Sequence, residues 1–173
     1  MWKKFKLLIL GVLCCWLFDS CRLVSNVGQK VFHSTESQFT NREIKRLLKA
    51  AQNYQGVVYR YGGTNEKGFD CSGLLFRVYS DHNYMIPRST IQQAEYGLTV
   101  EMEDIEKGDW LFFKTNGSPK ISHVGLVTKV LGPQEVIFIH ASTSKGVRED
   151  NLYSNYWIKA FSKVVRPYKN NSK

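Results

Sequence analysis

The sequence predicts an α+β domain in which N-terminal helices pack on a small antiparallel sheet. Helix-type periodicity is confined to the earlier part of the chain, and strand-type runs follow it. A Gly132-Pro133 turn signal joins two of those runs. The chain has 173 residues, 43% of them hydrophobic, enough for one domain with a real core and too short for two.

The first element is a leader. Met1-Trp2-Lys3-Lys4-Phe5-Lys6 is positively charged, and Leu7 to Phe18 is apolar except for Gly11. That run is too short to span a bilayer comfortably and suits the apolar region of a signal peptide. It ends at Ser20-Cys21, which resembles the lipobox of bacterial lipoproteins. We expect residues 1–20 to be a lipoprotein-type signal peptide, Cys21 to carry lipid, and residues 21–41 to form a polar tether. The protein would then be exported and lipid-anchored to a bacterial membrane, on the periplasmic side of the outer membrane. Cleavage at Ser20 without lipidation is the alternative.

The domain is expected over 42–168, with 169–173 as a tail. Asn41 caps a helix over Arg42–Asn53, where Ile44, Leu47, Leu48 and Ala51 make an apolar stripe and Gly56 stops it. Val57–Gly63 reads as a short strand or extended segment, and a polar loop delivers Asp70 and Cys71. Leu74–Tyr79 reads as helix. Ser89 and Gln92 are spaced as a capping box for a short helix after Pro87-Arg88. Trp110–Phe113, His123–Leu131 and Glu135–Ala141 read as strands, and Trp157–Val165 as helix or strand.

Cysteine usage isolates one thiol. Cys14 and Cys15 lie in the leader and Cys21 would be lipidated, which leaves Cys71 alone in the exported domain. Its neighbours Asp70, Ser72 and Gly73 argue against an inert apolar slot. At a helix start, unsatisfied N–H groups and the macrodipole favour the thiolate, so a lowered pKa is expected. Its own backbone N–H would point to where an oxyanion forms.

Two histidines can be placed by register. With a two-residue loop at Gly132-Pro133, His123 faces Ser142, and His140, two residues away, shares its face. A three-residue loop would break that parity. A helix packed on that face could then present Cys71 to both imidazoles. A thiol, a histidine to deprotonate it and a second group to orient that histidine are the parts of a cysteine hydrolase.

The run of motifs Tyr59-Arg60-Tyr61-Gly62-Gly63, Asp70-Cys71-Ser72-Gly73, Pro87-Arg88-Ser89-Thr90, Gly108-Asp109, His123-Val124-Gly125 and His140-Ala141-Ser142 resembles the NlpC-type family of bacterial cell-wall cysteine peptidases. The stretch His140–Val147 is similar to the Spr-type murein endopeptidases, which are small lipoproteins. The resemblance covers about residues 42–168. It implies a papain-like fold, with Cys71 as nucleophile, His123 as general base and later acid, and His140 as the orienting residue. Tyr59 would assist near the oxyanion site. Asp70 and Ser72 would help bind the stem-peptide end of the substrate, with Arg88 beside them; taken alone Asp70 is more often a plain N-cap, and a salt bridge and a helix cap explain Arg88 and Ser89 equally well.

The implied reaction is hydrolysis of stem-peptide bonds in peptidoglycan, either the D-alanyl–diaminopimelate cross-link or γ-D-glutamyl–diaminopimelate. A thiol amidase or acyltransferase on another substrate, and a non-catalytic wall-binding lipoprotein, are the alternatives. No metal or other cofactor is expected, because no His-x-x-x-His or Cys-x-x-Cys spacing is present. Removing residues 1–20 turns 24 basic and 15 acidic residues into 21 and 14, so the charge falls from +9 to +7. The basic residues are spread out, which disfavours nucleic acid as a partner. The expected partners are peptidoglycan stem peptides and a membrane through the lipid, with the domain itself a monomer.

Overall fold

A computed structural model describes residues 38–115 and 117–169. The expected signal peptide, Cys21 and the tether as far as residue 37 lie outside the described residues, as do 170–173. Among the described residues no helix is long and apolar enough to cross a membrane.

Helix α1 runs from Asn41 to Asn53 and is capped by Thr40, one residue before the expected Asn41. Thr40 and Glu43 form a reciprocal capping box: the Thr40 hydroxyl accepts the Glu43 N–H at 3.3 Å, and the Glu43 carboxylate accepts the Thr40 N–H at 2.8 Å. Leu47, Leu48 and Ala51 are buried, and Ile44 packs half-buried beside them. The expected Val57–Gly63 strand is shorter: the Gly56 N–H and the Val57 carbonyl bond the backbone of Val147, Tyr59 makes a parallel bridge to Phe69, and a turn at Tyr61-Gly62 then ends the segment. The paired glycines turn the chain, Gly62 with φ +72°, into a two-stranded hairpin of β1 (Thr64–Asn65) and β2 (Gly68–Phe69). Helix α2 (Cys71–Ser80) follows at once, then a single-turn helix α3 (Thr90–Gln93) capped by Ser89.

The remaining chain builds a six-stranded antiparallel sheet in the order β3-β8-β4-β5-β6-β7. Its strands are β3 (Gly97–Val100), β4 (Trp110–Phe113), β5 (His123–Gly132), β6 (Glu135–Ser142), β7 (Gly146–Asn151) and β8 (Phe161–Pro167). Every residue of β4 is buried because both sheet faces are covered. Trp110 and Phe112 join the core under α1 and α2 with Leu74, Leu75 and Val78. Leu111 and Phe113 face a second core with Phe138, Val127 and Trp157. Trp157 belongs to α4 (Asn155–Ala160), so the expected Trp157–Val165 segment divides into the end of a helix and most of a strand.

The β5–β6 turn consists of Pro133 and Gln134, with Gly132 facing Glu135, one residue later than the expected Gly132-Pro133. The pairing then shifts twice along β5, between Val130 and Gly132 and between Val127 and Lys129. One such bulge inverts the faces and two restore them. Leu126 therefore faces Ile139, and the two histidines keep the shared face that the simpler register implied.

Candidate active site

Cys71 is the first residue of α2 and is 7% exposed. Asp70 caps the helix by accepting the Gly73 N–H at 2.6 Å. Position 73 requires glycine through close approach: a Cβ there would run into the Gly63 carbonyl oxygen and crowd the Asp70 carboxylate. The start of α2 is thus pinned to the glycine turn before β1, and the thiol is pinned with it.

Among the described residues, Sγ lies 3.5 Å from the Thr90 hydroxyl and donates to the Ser122 carbonyl at 3.9 Å; backbone N–H groups of Val124 and Ser72 favour its ionised form. Burial nevertheless pushes the Cys71 thiol up, against the expectation of a lowered pKa. Desolvation outweighs the helix terminus because the thiol is packed into the core rather than facing water, and the neighbouring Asp70 charge adds to the rise.

His123 opens β5 opposite Phe113 and is 8% exposed; His140, on β6, is 1% exposed. Their rings meet edge to face, with His123 Nε2 and His140 Nδ1 3.0 Å apart. Nε2 of His140 lies 2.9 Å from Asp150 Oδ2 on β7. The Trp157 indole stacks on His123, with centroids 5.4 Å apart and planes at 25°.

The histidines therefore face α4 and not α2, which corrects the expectation that a helix packed on their face carries the cysteine. Side chains alternate along a strand, so Val124, which packs under α2, sends His123 the other way. Cys71 reaches the histidine around the beginning of β5. Its sulfur contacts the backbone of Ser122 and Val124, the residues on either side of His123. With Nε2 engaged by His140, Nδ1 is the nitrogen of His123 left for the thiol.

Burial, and secondarily the unfavourable interaction of two cationic rings so close together, pushes His123 down to about 3, so its imidazole is neutral near pH 7. In the unfolded chain it titrates near 6.5. Stability from keeping it neutral is present above that value and is lost as pH falls toward 3. Asp150, held ionised by His140, acts in the same direction. Thermal unfolding should therefore drop between pH 7 and pH 4, and less steeply in His123→Gln; an equally steep fall in the variant would contradict this.

Tyr59 is half-buried and shares a cleft with Cys71; burial, then the thiol's charge, raises its hydroxyl. Asp70, Ser72 and Arg88 converge beside the sulfur as one network. Arg88 donates to Asp70 Oδ2 at 2.7 Å, to Asp70 Oδ1 at 3.1 Å and to Ser72 Oγ at 2.9 Å. Asp70 Oδ2 also accepts the Gly62 N–H at 2.9 Å. Both carboxylate oxygens are thus occupied from within the protein, and Arg88 remains about a third exposed at the cleft wall. A second hollow, of about 310 Å³, opens on the histidine side and is lined by Lys145, Arg148 and Tyr156 as well as the rings.

Sequence reasoning missed Thr90, Asp150 and Trp157. Thr90 stands within a motif already singled out, but nothing marks its hydroxyl as the one turned to sulfur. Asp150 lies in Arg148-Glu149-Asp150-Asn151, a polar edge strand with no alternation to announce it. Among the described residues no His, Cys, Asp and Glu cluster could hold a metal ion.

A likeness to known proteins follows the same frame. The chain is 34% identical to a probable endopeptidase of Haemophilus influenzae over 165 residues, 95% of this chain and 99% of the relative. It is 33% identical over 133 residues to the murein DD-endopeptidase MepS/murein LD-carboxypeptidase of Escherichia coli K12, 76% of this chain and 67% of that one. The crystal structure of an NlpC/P60 family protein from Bacillus cereus superposes with a TM-score of 0.63 at 28% identity, over 71% of this chain and 39% of that one. The model of the NlpC/P60 family matches residues 56–166, from the turn before Tyr59 through β8, and the chain belongs to that family.

Proposed function

We propose that this protein is a peptidoglycan endopeptidase of the cysteine type. The observation that carries the reading is the buried pair of His123, at the head of β5, and His140 on β6, with the backbone on either side of His123 touching the Cys71 sulfur. The murein DD-endopeptidase named above, similar over most of this chain, supports the substrate class.

Because the thiol is raised and His123 is neutral, His123 acts as a general base at the moment of attack. The Sγ proton passes to Nδ1 while sulfur bonds to the carbonyl carbon of the scissile amide. The oxyanion forms near the Cys71 N–H at the start of α2, with the Tyr59 hydroxyl in the same cleft. Collapse breaks the C–N bond as His123 returns its proton to the leaving amine. Water, deprotonated by His123, then splits the thioester and restores the thiol. His140 orients the base. Asp70 and Ser72 hold the nucleophile's helix start, and Arg88 offers the cleft a cation for the stem peptide.

The bond assigned is the D-alanyl–diaminopimelate cross-link, in preference to γ-D-glutamyl–diaminopimelate, because His140–Val147 resembles the Spr-type enzymes. Mass spectrometry of muropeptides after incubation with the purified protein tests this. Loss of cross-linked dimers with gain of monomers is expected. Unchanged muropeptides would overturn the assignment, and cleavage next to D-glutamate would move it to the other bond.

The site works at a membrane surface in this reading, through cleavage before Cys21, its lipidation and the tether to Thr40. Several acyl chains on one cysteine suffice for stable anchoring, at about 0.8 kcal/mol per buried methylene. Labelled palmitate should enter the wild type and be lost in Cys21→Ala, which should leave the membrane fraction with its chemistry at Cys71 intact. Labelling that persists in the variant would place the lipid elsewhere.

A further inference from the structure

We propose that Asp150 is a positioning residue that sets the tautomers of both histidines, so that His123 offers an unprotonated Nδ1 to Cys71; this rests on the thiol-hydrolase reading above. The argument is a chain of donors and acceptors. An ionised carboxylate only accepts hydrogen bonds, so the proton in the 2.9 Å contact between Asp150 Oδ2 and His140 belongs to His140 Nε2. A neutral imidazole carries one N–H, which leaves His140 Nδ1 as a lone pair. The 3.0 Å contact to His123 must then be donated by His123 Nε2. By the same count His123 Nδ1 is unprotonated, as a base for the thiol requires.

Asp150 is itself held in place. Besides His140 it receives the Trp157 indole N–H at 3.2 Å on Oδ2, and the Arg148 guanidinium at 2.6 Å on Oδ1. The same indole stacks on His123 and meets His140 edge-on, centroids 4.8 Å apart, so one residue fixes the carboxylate and both rings. When His123 takes the thiol proton, the new imidazolium donates to a neutral His140 with the Asp150 charge behind it. No proton needs to reach Asp150. Without an obligate acceptor, His140 could carry its proton on Nδ1. Facing that N–H, His123 Nε2 would have to accept, its own proton would move to Nδ1, and the base would be blocked.

The test is ¹⁵N NMR of histidine-labelled protein, full chain, with no substrate present. Wild type should show both rings protonated at Nε2 alone, and a proton on His123 Nδ1 in folded wild type would overturn the proposal without any variant. Asp150→Asn, whose amide can donate or accept, should show mixed tautomers. It should also lower kcat by at least about tenfold with KM little changed. Trp157→Phe keeps an aromatic ring beside the imidazoles and loses the indole donor, so its tautomers should stay and its kcat fall less. Wild-type tautomers and kcat within about twofold in Asp150→Asn would sink the proposal. A wild type inactive on murein, with the tautomers as stated, would count against the substrate reading alone.

Discussion

Cys71→Ala is expected to reduce hydrolysis to background, a loss on the order of 10⁵- to 10⁶-fold, because the covalent intermediate can no longer form. The fold should survive. Among the described residues the sulfur touches the Thr90 hydroxyl, the Ser122 carbonyl and the backbone of Val124 and Ser72, residues that all have other support, and the Asp70 cap that starts α2 uses no atom of the thiol. Removing a small buried group of this kind costs about 1 kcal/mol. Alkylation by iodoacetamide should label Cys71 alone, slowly at mildly acidic pH and faster as pH rises, since burial holds the thiol protonated. A Cys71→Ala protein that still cleaves muropeptides would end the thiol mechanism.

His123→Ala should lose roughly 10⁴-fold or more in kcat, since both the proton taken from sulfur and the proton given to the leaving amine pass through its ring. His140→Asn should fall only about 10- to 100-fold, because an amide can still accept from His123 Nε2 and reach toward Asp150. Steady-state kinetics on a defined cross-linked muropeptide measures both. Equal loss in the two variants would mean that His140 is as essential as the base, and an active His123→Ala would remove His123 from the chemistry.

What could be read from residues alone follows from which forces are local. The stripe of α1, the apolar run of β4 and the Cys71 helix start depend on neighbours a few positions apart, and they stand where periodicity puts them. Strands β3 and β7 did not announce themselves, because edge strands as short as β3 or as polar as β7 owe their form to the strand beside them. The histidine register came out right although the turn was misplaced by one residue, since two bulges in β5 cancel each other's effect on facing. The electrostatics were read with the wrong sign at Cys71. A helix terminus is visible in sequence, but the desolvation that outweighs it is a property of the packed site. Asp150 was invisible for a related reason: its importance lies in a 2.9 Å contact to His140 across two strands, not in any local spacing.

The most direct test is cleavage of a cross-linked muropeptide dimer in H₂¹⁸O, followed by mass spectrometry of the products. Hydrolysis through a Cys71 thioester predicts a new carboxylate carrying one ¹⁸O, a free amine on the partner peptide, and no product with Cys71→Ala. An amine adduct without label would make the protein a transferase, and an intact dimer with active wild-type thiol would contradict a role in cutting the wall.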